Sequence, residues 1–592
     1  MALKMTSPNQ EHLYAVVDMG SNGIRFSISS LEPPTARIMP TLYQHREGIS
    51  LYDAQYSASG ERRPIDDHTI SSVLAAFRSF KRTCDDFSVP QSRITVLATE
   101  ATRTAINSED FRKAIRDAVG WEVTMLAKED EGRVGAMGVG SSLPEVRGLV
   151  MDLGGGSTQL SWLVKTSARD DVRMPENGSV SMPYGAAAMT RRLGEAQKNG
   201  HVEHLRHEIR DAIKDAFARL NVPSDLQEAA RKAGGYTLYL SGGGFRGWGY
   251  VLLSQHRIQP YPIPVINGFR VPRSHFSNTD SVQLAAAASL EEDDGSADIF
   301  RVSERRASQV PAVAFLVSAL ADALPDIREV RFCQGGVREG FLFGKLSPEV
   351  RAQHPLVVAT EPFDTANTSD AITKLLLSAL PKPDGTQHSS DIYFTYFTAS
   401  RLEAFANLIY YHSSHSKDLQ ATAALRSTTS GILAGVHGVF HESRTLLALL
   451  LCQRWGGHVP PVDQQFKRNL EQLVDAPWTS WWINYLGAVA ALIAAVYPAG
   501  ITESNRGRLA FSAGWDESKK GHAQVNLQAV FARDTRSGEY RDEVESVEKV
   551  GKKKRWIRAV GDEGGVGYKV AVEVTEAGEY VAGTSWKAFP RK

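Results

Sequence analysis

Two short glycine-rich segments constrain the fold of this 592-residue chain most strongly, because they repeat one pattern. The run YAVV leads into DMGSNGIRFSI at residues 18–28, and the run GLVM leads into DLGGGSTQL at residues 152–160. In each segment an aspartate ends a β-type run, glycine and serine follow within a few residues, and a second strand-like run comes next. The same strand, turn and strand at two distant places predicts two related α/β halves rather than one sheet with unrelated turns.

Two further strand-like runs end in glycine-rich turns: YTLYL precedes SGGGFRGWGY at 241–250, and EVRF precedes CQGGVREGFLF at 333–343. Glycine allows the backbone to approach a ligand closely and to point successive N–H groups at an anion. The hydroxyls of Ser21, Ser157 and Thr158 add hydrogen-bond donors. An aspartate beside such a turn would repel a bare phosphate, so a cation or an ordered water is expected between them. A single turn of this kind is common between strands. Four such turns in order predict a cleft that holds a chain of phosphates from both sides.

The rest of the sequence divides into regions of different pattern. Strand-like and helical patterns alternate to about residue 345, the patterns are mostly helical from about 365 to 500, and strand-like alternation returns after about 505. We predict four domains, at residues 1–143, 144–345, 346–505 and 506–592. We also predict a helix over 66–87, a helix beginning at Asn107, one or two long buried helices over 429–457, and little order at 289–298 and 381–391.

Composition excludes several classes of function. Lys and Arg (67) balance Asp and Glu (67), so no net charge draws the protein to nucleic acid or to an anionic membrane. Its three cysteines lie far apart, which argues against a disulfide framework or a cysteine zinc site and fits a reducing compartment. The N-terminus lacks the apolar core of a signal peptide. The most apolar segment, residues 483–498, is shorter than a membrane span and predicts a buried helix. We therefore expect a cytoplasmic protein with no membrane and no nucleic-acid partner.

The segments YAVVDMGSNGIRFSI, LVMDLGGGSTQLS and VRFCQGGVREGFLFGKL resemble the phosphate-loop motifs of the exopolyphosphatase/guanosine pentaphosphatase (Ppx/GppA) family, in that family's order. The longer C-terminal part resembles a fungal branch of the family, whose members relay the state of mitochondria to nuclear genes. The resemblance implies an α/β fold of two actin/Hsp70/sugar-kinase-like (ribonuclease H-like) halves around a cleft, then a mostly helical domain and a small β-rich C-terminal domain. It also implies a phosphate-containing ligand, namely ATP, polyphosphate or guanosine pentaphosphate.

The resemblance also implies two residues that act on the phosphate. The family has a Glu-Glu-Ala-Arg element whose second Glu is the general base that activates water against a phosphoanhydride; in KEDEGRVGAMGVG this position is Glu131, and Asp130 replaces the first Glu. Judged from the residues alone, the acids Glu129, Asp130 and Glu131 are better explained as the solvated start of a helix. The family's phosphate-binding arginine corresponds to Arg103 in ATEATRTA, where a guanidinium suits a two-pronged grip on phosphate. The alternative for Arg103 is a surface salt bridge.

The remaining sites implied by the resemblance lie in the glycine-rich turns. Phosphate or nucleotide contacts are expected at Asp18, Gly20, Ser21, Asn22, Asp152, Gly154, Gly155, Gly156, Ser157, Thr158, Ser241, Gly242 and Gly243. Asp152 is also the candidate ligand for Mg²⁺. Three positions depart from the family pattern: Gln159 replaces the usual Glu, Gln334 a frequent Asp, and Gly243 a Thr. Because Mg²⁺ favours carboxylate oxygens, the two glutamines are expected to weaken metal binding.

The C-terminal part carries no visible chemistry of its own. None of the 16 histidines is followed by aspartate, so a metal-dependent HD phosphohydrolase site is not expected. His437 and His441 are spaced i, i+4 and could share a metal, although two packed or solvated histidines explain the pair better. The run KKKR at 552–555 is typical of a solvated surface.

The prediction is therefore a regulatory sensor. It binds a phosphate compound, changes the angle between its halves, and acts through a protein partner in mitochondria-to-nucleus (retrograde) signalling. The alternative is an Mg²⁺-dependent exopolyphosphatase or nucleotide phosphoanhydride hydrolase with Glu131 as general base, so the question of enzymatic activity stays open. A sugar kinase is a third alternative, supported only by the shared loops. The sequence leaves open whether the protein forms a homodimer.

Overall fold

The first sheet lies in the N-terminal part of the chain. The computed structural model describes residues 9–57, 61–166, 169–291, 298–364, 367–382, 396–474, 476–501, 507–557 and 565–577. The strands of the first sheet are β1 (Leu13–Gly20), β2 (Gly23–Ser30), β3 (Thr41–Glu47), β4 (Ile94–Ala98) and β5 (Val123–Met125). They lie in the order β3-β2-β1-β4-β5, with β2 antiparallel to both its neighbours and β4 parallel to β1 and β5. The helices of this half are α1 (Asp67–Asp86), α2 (Glu100–Thr104), α3 (Ser108–Val119) and α4 (Lys128–Ser141).

Helix α1 illustrates how the sequence specifies these elements. The Asp66 carboxylate accepts a hydrogen bond from the Thr69 N–H at 2.8 Å, which satisfies a backbone donor at the helix start. Val73, Phe77 and Phe80 follow at helical spacing and are buried against the sheet. The predicted helix over 66–87 is therefore confirmed, and α3 likewise begins directly after Asn107.

The second sheet repeats the strand order of the first. Its strands are β6 (Val146–Leu153), β7 (Thr158–Thr166), β8 (Arg169–Arg173), β9 (Val180–Met182), β10 (Tyr236–Ser241), β11 (Arg270–Pro272) and β12 (Ile327–Phe332). The order β8-β7-β6-β10-β12 matches β3-β2-β1-β4-β5, with β11 added at one edge and β9 paired with β7. The helices of this half are α5 (Ala186–Asn199), α6 (Val202–Arg219), α7 (Ser224–Ala233), α8 (Gly242–Ser254), α9 (Arg273–Phe276), α10 (Thr279–Glu291) and α11 (Glu304–Ala323). The prediction of two related α/β halves is confirmed.

Helix α12 (Val337–Lys345) connects the two halves. It follows β12 along the chain but packs against α4 and the first sheet, where Leu342 and Phe343 share a cluster with Val16. Contact between α4 and α12 is close because both helices carry glycines: a Cβ at Gly340 would lie 1.8 Å from the Val134 carbonyl oxygen.

A helical region follows the two halves. Its helices are α13 (Pro348–Ala352), α14 (Pro355–Thr360), α15 (Ser369–Ser378), Ala399–Leu408, Lys417–Arg426, His441–Arg454, Pro461–Gln472 and Pro477–Val496. The prediction of long buried helices over 429–457 is only partly right, since the helix begins at His441. The reason lies in Arg444, which is buried and whose guanidinium donates to the carbonyls of Thr428, Leu433 and Val436. In a regular helix those carbonyls would instead accept hydrogen bonds from backbone N–H groups of the next turn.

The apolar helix Pro477–Val496 is longer than the predicted segment. At 20 residues it passes, by length and composition, the test for a membrane span, and it is the one helix of the described residues that does. Most of it is nevertheless buried within the protein, where Trp481 and Tyr485 stack with ring centroids 5.6 Å apart. The prediction of a buried helix is therefore confirmed.

A small sheet ends the described chain. Its strands are β13 (Leu509–Glu517), β14 (Ala523–Phe531) and β15 (Lys569–Glu576), in that order, and the helix Arg541–Val550 packs on β15. This sheet joins the hydrophobic core of the helical region through Phe511 and Tyr568. The fold class is confirmed: two mixed-sheet α/β halves, a helical region and a small three-stranded sheet. The predicted segments of little order lie largely outside the described residues, and the four domain boundaries remain a prediction.

Candidate phosphate-binding cleft

The four glycine-rich turns meet in one cavity between the two halves. The first two turns are the β1–β2 and β6–β7 hairpins, and the other two open helices α8 and α12. Three of them follow the neighbouring strands β6, β10 and β12 of the second sheet, and the fourth follows β1, the strand of the first sheet that corresponds to β6. The paired topology therefore places all four around a single cleft. The cavity has a volume of about 200 Å³ and is lined by Asp18, Gly20, Ser21, Asn22, Gly23, Arg25, Arg46, Gly48, Thr99, Glu131, Asp152, Gly154, Gly155, Ser157, Gln159, Gly242, Gly243, Gly244, Arg246, Ser303, Arg305, Arg306, Gln309, Gln334, Gly336 and Val337.

Ten of the predicted phosphate-loop residues, together with Glu131, line this cavity. The exceptions are Gly156, Thr158, Ser241 and Arg103, which do not border it. Ser241 and Thr158 instead hold Asp152: the Ser241 hydroxyl donates to the Asp152 carboxylate, and the Thr158 hydroxyl donates to the Asp152 carbonyl at 2.7 Å. These side chains shape the loop rather than face the ligand space.

The β6–β7 turn keeps its carbonyl oxygens away from the cavity. The carbonyls of Gly154 and Gly155 accept hydrogen bonds from Ala186 and Ala187 in the first turn of α5, at 2.9 Å each. The carbonyl of Gly156 accepts from Gly185 at 3.0 Å. With these oxygens engaged behind the loop, an anion on the cavity side meets no carbonyl repulsion from the three glycines.

Close approach between the two hairpins requires glycine at position 155. A Cβ there would lie 2.7 to 2.9 Å from the side chain of Asn22 on the opposite hairpin. Since real Cβ atoms do not come this close to other heavy atoms, any larger residue would displace the Asn22 side chain, which accepts a hydrogen bond from Arg305 of the other half. The glycines of this turn thus serve both the ligand and the closure of the cleft.

The two loop aspartates, Asp18 buried and Asp152 half-buried, are partly neutralised. Asp18 lies 3.7 Å from the Arg25 guanidinium, and Asp152 accepts from Ser241. Burial raises the pKa of both carboxyls, and Arg25 opposes that rise in each case. Both carboxyls are therefore held beside cations rather than left as bare negative charges in the phosphate path.

Glu131 is placed at the start of α4, where its carboxylate contacts Arg103. An Arg103 nitrogen lies 3.5 Å from the Glu131 carboxylate, while the other nitrogen of the fork donates to the Leu126 carbonyl. Burial raises the pKa of Glu131 to about 7, helped by Asp152, Glu100 and Asp18, and opposed by Arg103. A carboxyl that titrates near neutrality is suited to accept a proton from water.

A second, smaller cavity of about 30 Å³ adjoins Glu131. Its polar lining comes from Asp152, Gln159, Ser161 and Ser179, and the Ser179 hydroxyl is buried without a hydrogen-bond partner. A polar space of this size is large enough for one or two water molecules. Glu131 therefore borders both the ligand cavity and a place for water.

The sequence analysis missed the arginines of the cleft. Five of them line the cavity against three carboxylates: Arg25, Arg46, Arg246, Arg305 and Arg306. Burial lowers the pKa of Arg246 and Arg306 to about 10, and the repulsion of neighbouring arginines, Arg25 among them for both residues, lowers it further. Such mutual repulsion is relieved by an anion. Arg25 stands inside the segment DMGSNGIRFSI and Arg246 inside SGGGFRG, so these two had a local signal and the other three had none.

Arg305 also bridges the two halves across the mouth of the cleft. From helix α11 its guanidinium donates to the Asn22 side chain at 3.1 Å and to the Asp53 carboxylate at 2.6 Å. On the same side, the Arg191 guanidinium lies 4.2 Å from the ring centroid of Tyr56. The cleft is therefore closed in this structure by contacts between charged and aromatic side chains of opposite halves.

The side chains do not form a resident Mg²⁺ site. Within the described ranges there is no group of three or more His, Cys, Asp or Glu placed to hold a metal ion. Gln159, where a carboxylate is usual, donates to the Ser157 hydroxyl at 2.9 Å, and the Gln334 N–H donates to Asn267 at 2.9 Å. The donor set therefore does not fit a metal bound by protein alone, and no chemical step is assigned to one.

Asn267 links the cleft to the helical region. Its buried side chain accepts from the Gln334 N–H at the cleft and donates to the Ser142 carbonyl at 2.8 Å and to the Val439 carbonyl at 3.3 Å. Val439 precedes the helix His441–Arg454. One amide thus touches the fourth phosphate turn, the end of α4 and the C-terminal part at once.

His437 and His441 each have partners of their own. His437 Nε2 hydrogen-bonds the Ser141 hydroxyl at 2.7 Å, whereas His441 contacts the Tyr261 hydroxyl at 2.7 Å and the Val265 carbonyl at 2.8 Å. Burial lowers the pKa of both imidazoles, so they are neutral near pH 7. The packed interpretation of this pair is the right one.

Comparisons with known proteins agree with the loop motifs. Residues 31–349 match the Ppx/GppA phosphatase family and residues 354–577 match the RTG2 C-terminal domain. The chain is 38% identical over 541 residues to Retrograde regulation protein 2 of Saccharomyces cerevisiae, covering 90% of this chain and 88% of that protein. It is 25% identical over 154 residues to the Bifunctional 3-dehydroquinate synthase/phosphatase of Fusobacterium nucleatum, covering 25% of this chain and 23% of that protein. A crystal structure of an exopolyphosphatase from Cytophaga hutchinsonii is 17% identical, with a TM-score of 0.42, and covers 57% of this chain and 99% of that one.

The family match spans more than half of the chain, and the yeast relative aligns over nearly the whole of it. The chain therefore belongs to the Ppx/GppA phosphatase family, and its Ppx/GppA region is followed by an RTG2 C-terminal domain.

Proposed function

We propose that this protein is a cytoplasmic regulatory sensor of the retrograde type, which binds a phosphoanhydride compound in the cleft and acts through a protein partner. The observation that carries the proposal is the surplus of five arginines over three carboxylates around glycine-rich turns. A chain of phosphates carries several closely spaced negative charges, and guanidinium groups neutralise them without a metal. ATP, polyphosphate and guanosine pentaphosphate all present this chemistry.

The regulatory part of the proposal is supported by Asn267. Its amide hydrogen-bonds both Gln334 and Val439, which lies just before the helix His441–Arg454. A shift of the Gln334 turn on ligand binding would therefore move groups in the C-terminal part. A buried polar group that loses a hydrogen-bond partner raises the free energy of the protein, so Asn267 is expected to follow its partners when they move. Opening of the Arg305 bridge to Asn22 and Asp53 would change the angle between the halves. The partner is then expected on the C-terminal part.

The test is calorimetric binding of tripolyphosphate and of ATP to the full chain, each with Mg²⁺ and with EDTA. We expect saturable binding that persists in EDTA, because arginines rather than a resident metal supply the positive charge. Binding that vanishes in EDTA would show that a metal carries the phosphate charge, and the absence of binding in both conditions would refute a phosphate cleft.

A second candidate function is phosphoanhydride hydrolysis, and it is favoured by one observation. Glu131 has a pKa of about 7 and borders both the ligand cavity and a polar space of about 30 Å³ suited to water. A base in this position could take the proton of a water that attacks the terminal phosphorus. Phosphate release from polyphosphate and ATP, measured beside Glu131→Gln, tests it: release that is lost in the variant makes the protein an enzyme, and release by neither protein leaves the cleft as a sensor site.

A further inference from the structure

A large cavity lies at the junction between the second α/β half and the helical region, apart from the phosphate cleft. Its volume is about 680 Å³, within the range of small-molecule sites. One wall comes from β10, β12 and α7 of the second half. The other wall comes from His354, the helix Ala399–Leu408 and the segment around Phe440.

The charge of this cavity is positive. Five arginines line it against three glutamates. Glu329 and Glu442 bind the arginines of the second half: the Glu329 carboxylate accepts from Arg331 at 2.9 Å, and the Glu442 carboxylate lies 2.6 Å from Arg270. These two carboxylates are shared among Arg270, Arg328 and Arg331, and five arginines against three glutamates leave the lining with an excess of two positive charges.

Arg401 and Arg331 both lie close to one aromatic ring. Their guanidinium carbons lie 5.7 Å and 5.9 Å from the ring centroid of Phe440. Burial lowers the pKa of Arg401, the Glu442 carboxylate opposes that shift, and the positive charge of Arg331 adds to it. Two half-buried cations this close to one aromatic ring favour an anion that bridges them.

Two polar atoms of the lining are left without partners. The Nδ1 atom of His354 and one carboxylate oxygen of Glu442 are buried and make no hydrogen bond. Burial lowers the pKa of His354 to about 4, so its imidazole is neutral at pH 7 and offers hydrogen bonding rather than charge. The neutral His354 imidazole is able to hydrogen-bond a ligand in the cavity, whereas the Glu442 oxygen, which only accepts hydrogen bonds, is expected to meet water.

We propose that this junction cavity is a second ligand site, which binds a small polyanion bearing several carboxylate or phosphate groups through Arg331 and Arg401. The proposal does not depend on what the phosphate cleft binds. Because β12 carries Arg331 into the cavity and leads three residues later into Gln334 of the cleft, a ligand here would also stiffen the strand on which the cleft is built.

The experiment uses the full chain with citrate as the carboxylate probe and pyrophosphate as the phosphate probe, by calorimetry and by thermal shift at constant ionic strength. Gly155→Ala, whose Cβ would displace Asn22 in the phosphate cleft, is expected to reduce the contribution of that site. In this background we expect saturable binding of at least one probe. Arg401→Gln should weaken it at least tenfold by removing charge, and Ser400→Tyr should weaken it at least tenfold by filling the space.

The outcomes are distinct. Binding of citrate alone identifies a carboxylate ligand, and binding of pyrophosphate alone identifies a phosphate ligand. The proposal is overturned if neither probe binds in either background, if both cavity variants bind as tightly as their parent, or if Gly155→Ala alone abolishes binding. A thermal unfolding transition like that of the parent confirms that each variant is folded.

Discussion

Replacing Glu131 by glutamine should stabilise the ligand-free protein, in a manner that depends on pH. The Glu131 side chain is 13% exposed, and burial raises its pKa from 4.5 to about 7. The folded protein then retains a proton that the unfolded chain releases within that interval, so the free energy of unfolding falls as the pH rises through it. Above about pH 7 the full shift corresponds to a destabilisation of about 3 kcal/mol. Glutamine keeps the shape of the protonated acid and has no charge to bury.

The assay is calorimetric unfolding of the wild type and of Glu131→Gln at pH 5 and at pH 8. At pH 8 the variant should be more stable by up to about 3 kcal/mol, which is a rise in Tm of roughly 5–10 °C for a unit of the size of one half. At pH 5 the difference should shrink to less than about 1 kcal/mol, because the buried acid is then mostly protonated. Asp130→Asn is the matched control, since Asp130 is exposed on the same helix and should show no such pH dependence. A variant that is less stable at pH 8, or equally stabilised at both pH values, would refute the buried-base interpretation.

Three further predictions concern the cleft. Gly155→Ala should weaken binding of tripolyphosphate in calorimetry because its Cβ would displace Asn22, whereas Gly194→Ala, which has open space around it, should bind normally. Arg306→Met should raise the Tm of the ligand-free protein by relieving repulsion among arginines, yet weaken tripolyphosphate at least tenfold; lower stability together with unchanged affinity would contradict this. Asn267→Ala should lower the free energy of unfolding by about 2–4 kcal/mol. We also expect tripolyphosphate to protect the C-terminal part of the wild type, but not of this variant, against proteolysis. Protection that survives in the variant would exclude Asn267 as the link.

The fold was predictable to the extent that it rests on local signals. Asp66 and the apolar spacing after it specified α1, and the repeated Asp-Gly turns predicted two related halves. The helix expected from residue 429 failed because a distant buried side chain, Arg444, captures the carbonyls that a helix would use. Local propensity contains no information about that competition.

In the candidate site, the glycine turns could be predicted because close approach of the backbone to a ligand requires glycine within a short segment. Glu131 could be predicted because its segment matches a short family motif. The roles of Thr158 and Ser241 could not, since a hydroxyl near a phosphate turn serves either the ligand or the loop, and only the fold directs it to Asp152. The arginines of α11 have no glycine beside them and reach the cleft through packing alone.

By itself, the sequence determined the elements whose cause lies within a few residues: the turns that need glycine, the capped helices and the repeated strand–turn–strand pattern that predicts two halves. The tertiary structure decided where charge accumulates. It brought Arg25, Arg246 and Arg306 together around the turns, although the chain as a whole is neutral. The physical reason is that electrostatic interaction depends on distance through space and on burial, and neither quantity is fixed by separation along the chain.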